Sequence, residues 1–152
     1  MTVRSPLGAR GPAVVAMAVG AAVTVLGSSL PWVRTGGARR NSYDLFALVE
    51  RFGYSPDGPA GVALRWWPIV PLITALAVVA AWWGWPRTGG VLGVVAGGYA
   101  GGVGLAIGAA DVTNAVEIQF GAPVTAAGGA LLVLGSLAVI VLGWRAPPAP
   151  VT

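Results

Sequence analysis

Four stretches of this chain carry no charged residue at all: Pro12–Leu30, Pro68–Trp85, Gly89–Ala110 and Pro123–Trp144. Polar stretches of very unequal length separate them. As a helix the first run rises about 28 Å, close to the hydrocarbon thickness of about 30 Å, and the others are of similar length. The pattern predicts an all-α membrane protein, a four-transmembrane-helix bundle forming one domain over residues 1–152. Pro12 suits the first turn of a helix, where its missing N–H is not needed, and Pro31 stops the run. A cleaved signal peptide is the competing reading of this segment, because a basic start, an apolar run and the small residues Gly27-Ser28-Ser29 are all present. The run is longer than a usual h-region of about 7 to 15 residues, which favours the span.

Alternating spans put the intervals 31–67 and 111–122 on one side of the membrane, as a small extracytoplasmic cap. In the first interval, Trp32-Val33-Arg34-Thr35 and Ala38-Arg39-Arg40-Asn41-Ser42 flank Gly36-Gly37, a hairpin signal. A short amphipathic helix should follow. Asn41 can cap it and Asp44 complements its exposed N–H groups. At about 100° per residue, Leu45, Leu48, Val49 and Phe52 share one arc, Asp44, Glu50 and Arg51 lie towards the other side, and Gly53 ends the helix. Such a helix either packs on the bundle or meets a partner or a lipid surface. Tyr54–Val62 is a turn region punctuated by Ser55-Pro56-Asp57-Gly58. In the second interval Val116, Ile118 and Phe120 alternate with Glu117 and Gln119. This fits either a strand laid against the hairpin, giving a two- or three-stranded β element, or an irregular loop.

Trp66 and Trp67 precede the second run, while Trp82, Trp83 and Trp85 close it. Indoles prefer the headgroup level, so tryptophans at both ends of an apolar run mark both interfaces. Pro86-Arg87-Thr88 is too short to be more than a turn, which makes the second and third spans antiparallel neighbours. In the third span Gly93, Gly97, Gly101, Gly104 and Gly108 recur at steps of three or four and line one face. Weaker stripes run through Ala16, Gly20 and Thr24, and through Gly128 and Gly135. Small residues let helices approach closely in lipid, either within the chain or between copies of it.

Composition agrees with the patterning. Hydrophobic residues make up 56% and charged residues 9% of the chain, against about one quarter charged in soluble proteins. The mean hydropathy is +0.78. A net charge of +4 and a pI near 10.7 invite a nucleic-acid reading, but the arginines sit at segment ends and form no basic face. Without cysteine or histidine, disulfides, thiolate nucleophiles, ordinary zinc sites and imidazole bases are excluded. No ionisable residue falls inside the four runs, which argues against a coupled transporter. A site of backbone groups alone in the glycine-rich third run stays open. The acids Asp44, Glu50, Asp57, Asp111 and Glu117, with Asn41 and Asn114, could offer oxygen ligands to a hard cation, but their spacing matches no calcium loop and five arginines share their side. No catalytic, cofactor or metal site is expected.

Arg4, Arg10, Arg87 and Arg145 lie on the side of the termini, and Arg34, Arg39, Arg40, Arg51 and Arg65 on the other. The former occupy very short segments, which favours cytoplasmic termini. The succession Leu30-Pro31-Trp32-Val33, a glycine-bearing interval and Ser42-Tyr43-Asp44-Leu45-Phe46 resembles the small four-helix membrane proteins of actinobacteria, including the type found beside tryptophan biosynthesis genes. Those carry a Ser-x-x-Asp-Leu pattern, whereas one residue separates Ser42 from Asp44 here. The layout also resembles the claudin-type arrangement of an outer sheet and helix on a bundle, without that family's paired cysteines. The resemblance implies a fold and a place in the cytoplasmic membrane, and no reaction.

The expectation is a non-catalytic envelope protein that binds a partner membrane protein or lipid through its cap and its glycine face; a small channel or transporter subunit is the alternative. The candidate interaction residues are Trp32, Tyr43, Asp44, Phe46 and Phe52 in the cap, with Gly93, Gly97 and Gly101 on the third run.

Overall fold

The structure, a computed structural model, describes residues 10–51, 65–110 and 116–144. Helix α1 (Gly11–Ser29) leads into strands β1 (Pro31–Thr35) and β2 (Ala38–Asn41) and helix α2 (Ser42–Arg51). A 3₁₀ turn at Trp67–Ile69 opens α3 (Val70–Trp82), followed by α4 (Pro86–Gly108), β3 (Val116–Ile118) and α5 (Gly121–Trp144). Helices α1, α4 and α5 are long and apolar enough to cross a membrane, as in a multi-pass membrane protein. The apolar helix Trp67–Trp82 is shorter. It rises about 25 Å, the 3₁₀ turn included.

Helix α5 is the centre of the bundle. Apart from Leu132 and Val139, its buried positions come in adjacent pairs, Gly121-Ala122, Thr125-Ala126, Gly128-Gly129 and Gly135-Ser136. Neighbouring residues on a helix point about 100° apart, so paired small residues give it two flat faces. One face meets α1 antiparallel, in layers where one helix supplies a glycine and the other a larger side chain. A Cβ built on Gly135 would stand 2.6 Å from the Met17 amide nitrogen, and one on Gly128 would stand 2.5 Å from that of Thr24. In alternate layers Gly20 abuts the Leu132 backbone and Gly27 lies against Thr125. Met17, Gly20, Thr24 and Gly27 follow the three-and-four spacing of a coiled-coil seam, drawn unusually close by the glycines.

The other face of α5 receives α4. Gly90 packs against Ile140, Gly93 against Ser136, and Gly104 against the backbone of Ala122 and Ala126. The outer side of α4 takes α3, where a Cβ on Gly89 would come 2.6 Å from the Ala77 carbonyl. Every buried hydroxyl in these helices is satisfied locally: Thr24 donates to the Gly20 carbonyl at 2.8 Å, Thr125 to Gly121 at 2.9 Å and Ser136 to Leu132 at 2.6 Å. Such back-bonding lets a hydroxyl sit in an apolar interior without an orphaned donor.

Two boundaries differ from the sequence expectation. Pro86, Arg87 and Thr88 form the first turn of α4, and the connection is Trp83-Gly84-Trp85 instead. Gly84 has φ +94°, and the Trp85 amide donates to the Ala80 carbonyl at 2.9 Å, the Schellman closure that a left-handed glycine permits. Proline at a first helical turn loses no hydrogen bond, which explains why α4 starts early. The second run, expected as a span over residues 68–85, is α-helical only from Val70 to Trp82.

At the opposite end the polar intervals form a three-stranded antiparallel sheet in the order β2-β1-β3. Gly36, at φ +59°, makes the tight turn between β1 and β2. Strand β3 pairs along β1 with Val33 opposite Ile118 and Arg34 opposite Glu117, so the alternation at 116–118 is that of a strand.

Candidate functional site

The cap is joined to the bundle by a cluster of aromatic rings and hydroxyls. Strand β1 leaves α1 at an extended Leu30, and a bulge between Pro31 and Val33 turns Trp32 inward. Trp32 is completely buried, and its indole N–H donates to the Gly27 carbonyl at 2.9 Å. That carbonyl belongs to the last turn of α1 and also accepts the Leu30 amide at 3.2 Å, so its two lone pairs are both used. Gly121 at the start of α5 lies flat against the Trp32 ring.

Ser42 closes the cluster from the other side. At the head of α2 it donates to the Ser28 carbonyl at 2.6 Å and accepts the Trp67 indole N–H at 2.9 Å. One hydroxyl thereby ties α2, the end of α1 and the start of α3. The Tyr43 hydroxyl lies 3.3 Å from the Ser28 hydroxyl. Phe46 and Trp67 meet edge to face at 5.2 Å, and Trp32 and Trp67 at 5.3 Å. These geometries match the quadrupoles of the rings. Tyr99 from α4 completes the stack, 5.9 Å from Trp67.

The outward surface is polar. Arg34 lies 3.6 Å from Glu117, with both side chains largely exposed, so the pair contributes little to stability. Asp44 is exposed at the first turn of α2, where its amide donates to Asn41 Oδ1 at 2.9 Å; Asn41 is therefore the cap that the sequence suggests. Arg39, Ala47 and Arg51 are exposed as well.

The predicted interaction residues thus divide. Asp44 is on the surface, Tyr43 and Phe46 are half-buried against the cluster, and Trp32 is enclosed. Phe52 lies outside the described residues. Gly93, Gly97 and Gly101 are buried on α4 against α5. Gly108, expected on the same face, is exposed. Trp67, read as an interfacial indole, is only 1% exposed, because α2 and β1 fold over it. The side of α2 that meets the cluster carries Ser42, Tyr43 and Phe46; of the predicted arc, Leu45 and Leu48 are half-buried like Phe46, and the side chains of Val49 and Phe52 lie outside the described ones. Sequence reasoning did not single out Ser42, Ser28 or Tyr99. Tyr99 left a trace, being the one aromatic residue in the Gly89–Ala110 run.

A comparison with protein-family models, curated proteins and solved structures finds no match to this chain.

Proposed function

We propose that the chain is a four-span protein of the cytoplasmic membrane that works without catalysis, presenting its extracytoplasmic cap to a partner membrane protein or to lipid. The observation that carries this reading is the junction of Trp32, Ser42 and Trp67. It fixes the cap to the bundle through buried hydrogen bonds, while Arg34, Arg39, Asp44 and Glu117 remain on its outer surface. A rigid platform loses little conformational freedom on binding. Crossing by α3 is supported by its path, since Trp67 contacts the cap cluster whereas Pro86, just past its end, lies against Gly143 of α5. The same layout is implied by the resemblance to small actinobacterial four-helix membrane proteins. Local satisfaction of the buried hydroxyls favours a packed bundle over a polar conduit.

Photo-crosslinkers at Arg39 and Ala47 test the reading. A discrete, reproducible adduct is expected from these cap positions in intact cells, and none from the outward-facing Val15 of α1. Solute flux through liposomes containing only this protein would replace the reading with the channel alternative. Orientation is open to a labelling test, because the chain has no cysteine. Ala38→Cys should react with an impermeant maleimide in intact cells; reaction only after lysis would place the cap inside.

A further inference from the structure

The end of the bundle away from the cap has a distinct chemistry. Arg87, in the first turn of α4, places its guanidinium carbon 5.6 Å from the Trp144 ring centroid at the end of α5. A guanidinium held over an indole by cation–π attraction keeps N–H donors for a further partner. Among the described residues, no carboxylate pairs with Arg87. Nor does the sequence offer one nearby, because all five acids lie in the intervals that contain the cap. Arg10 opens α1 at the same end, again with no acid beside it. Among the described residues, nothing supplies a countercharge at this end.

Its source is indicated by the neighbouring indoles. Trp82, Trp83, Trp85 and Trp144 are 53%, 79%, 69% and 70% exposed. Exposed indoles at the ends of apolar helices reside at headgroup depth. A guanidinium held over one of them lies at the level of lipid phosphates.

We propose that this end of the bundle binds anionic phospholipid headgroups, with Arg87, oriented by Trp144, as the phosphate-recognising side chain and the exposed indoles of the α3–α4 turn flanking the lipid. The forked donors of arginine match a phosphate in two-point fashion, and one basic residue at an anionic surface favours anionic over neutral lipid about fivefold. The proposal rests on the membrane reading but not on the cap having a partner.

The test is native mass spectrometry of detergent-purified protein equilibrated with equal phosphatidylglycerol and phosphatidylcholine. Wild type should retain phosphatidylglycerol preferentially, by about fivefold. Arg87→Gln should bring the two close to parity with phosphatidylcholine retention unchanged, Arg87→Lys should fall between, and Arg39→Gln on the cap should behave as wild type. Because Arg87 is exposed, its substitution leaves the packed helices intact. Equal retention of both lipids by wild type overturns the proposal, as does a preference that survives Arg87→Gln or is lost equally in Arg39→Gln. A chain that needs no detergent and retains neither lipid overturns the membrane reading itself.

Discussion

Ser42 is the smallest side chain in the aromatic junction and the one on which most depends, because its hydroxyl is acceptor for one element and donor to another. In Ser42→Ala the buried Trp67 N–H and the Ser28 carbonyl each lose a partner. Unsatisfied buried groups cost about 1–3 kcal/mol each, so a clear fall in the detergent melting temperature is expected. Thr at the same position, which keeps the hydroxyl, should recover part of the loss. Gly84→Ala should be destabilising by about 1–2 kcal/mol, since φ +94° is a conformation that a Cβ opposes; equal melting temperatures would contradict the Schellman turn. Single residues were unevenly legible from sequence. Asn41 announced itself as a cap because its chemistry is local. Trp32 and Trp67 did not reveal their burial, because an indole beside a proline at the end of an apolar run has the signature of an interfacial residue. Which indole turns inward is decided by the bulge in β1 and by α2 folding over the cluster, both matters of tertiary structure.

Among the elements, those with strong local signals stand where the sequence suggested, α1 ahead of Pro31 and the hairpin around Gly36-Gly37. At 116–118 the sequence allowed a strand or an irregular loop, and the strand is found. Helix α2 was legible as a helix, but the contact of its first turns with the cluster through Ser42, Tyr43 and Phe46 was not. Hydrophobic patterning gives a serine no inward signal, whereas an indole donor makes Ser42 an inward anchor. On α4 the spacing of the glycines was visible, but not which of them are in tight contact. A Cβ on Gly97 would come 2.8 Å from the Gly129 carbonyl, whereas one on Gly101 has only ordinary contacts from 3.6 Å. Gly97→Ala should therefore lower thermal stability by about 1–3 kcal/mol, as overpacking does, while Gly101→Ala should be nearly neutral. Equal effects would show that the helices are not in this register. Gly98 and Gly102 face open space, so alanine there should be harmless to the fold.

For the molecule as a whole, four uncharged runs were plain in the sequence, but their arrangement around α5 was not. Hydropathy ranks helices by composition and says nothing of which is central. The doubled small residues Gly128-Gly129 and Gly135-Ser136 of α5 serve neighbours on two sides, but doubling alone does not mark the central helix, because α4 carries Gly97-Gly98 and Gly101-Gly102 with Gly98 and Gly102 facing open space. Gly135→Leu should push α1 away from α5, and the expected result is aggregation on size-exclusion chromatography of a chain that still inserts into membranes. A monodisperse Gly135→Leu variant would refute the close approach at Met17. The central position of α5 has a consequence for synthesis. The groove of α1 at Gly20 and Gly27 is made early, and its occupants Leu132 and Thr125 emerge roughly a hundred residues later. At about 5–20 residues per second, a ribosome leaves α1 waiting on the order of 5–20 seconds before that groove is filled. Assembly therefore hinges on α5: a polypeptide stalled before it emerges leaves the Gly20 and Gly27 faces of α1 without the residues that fill them.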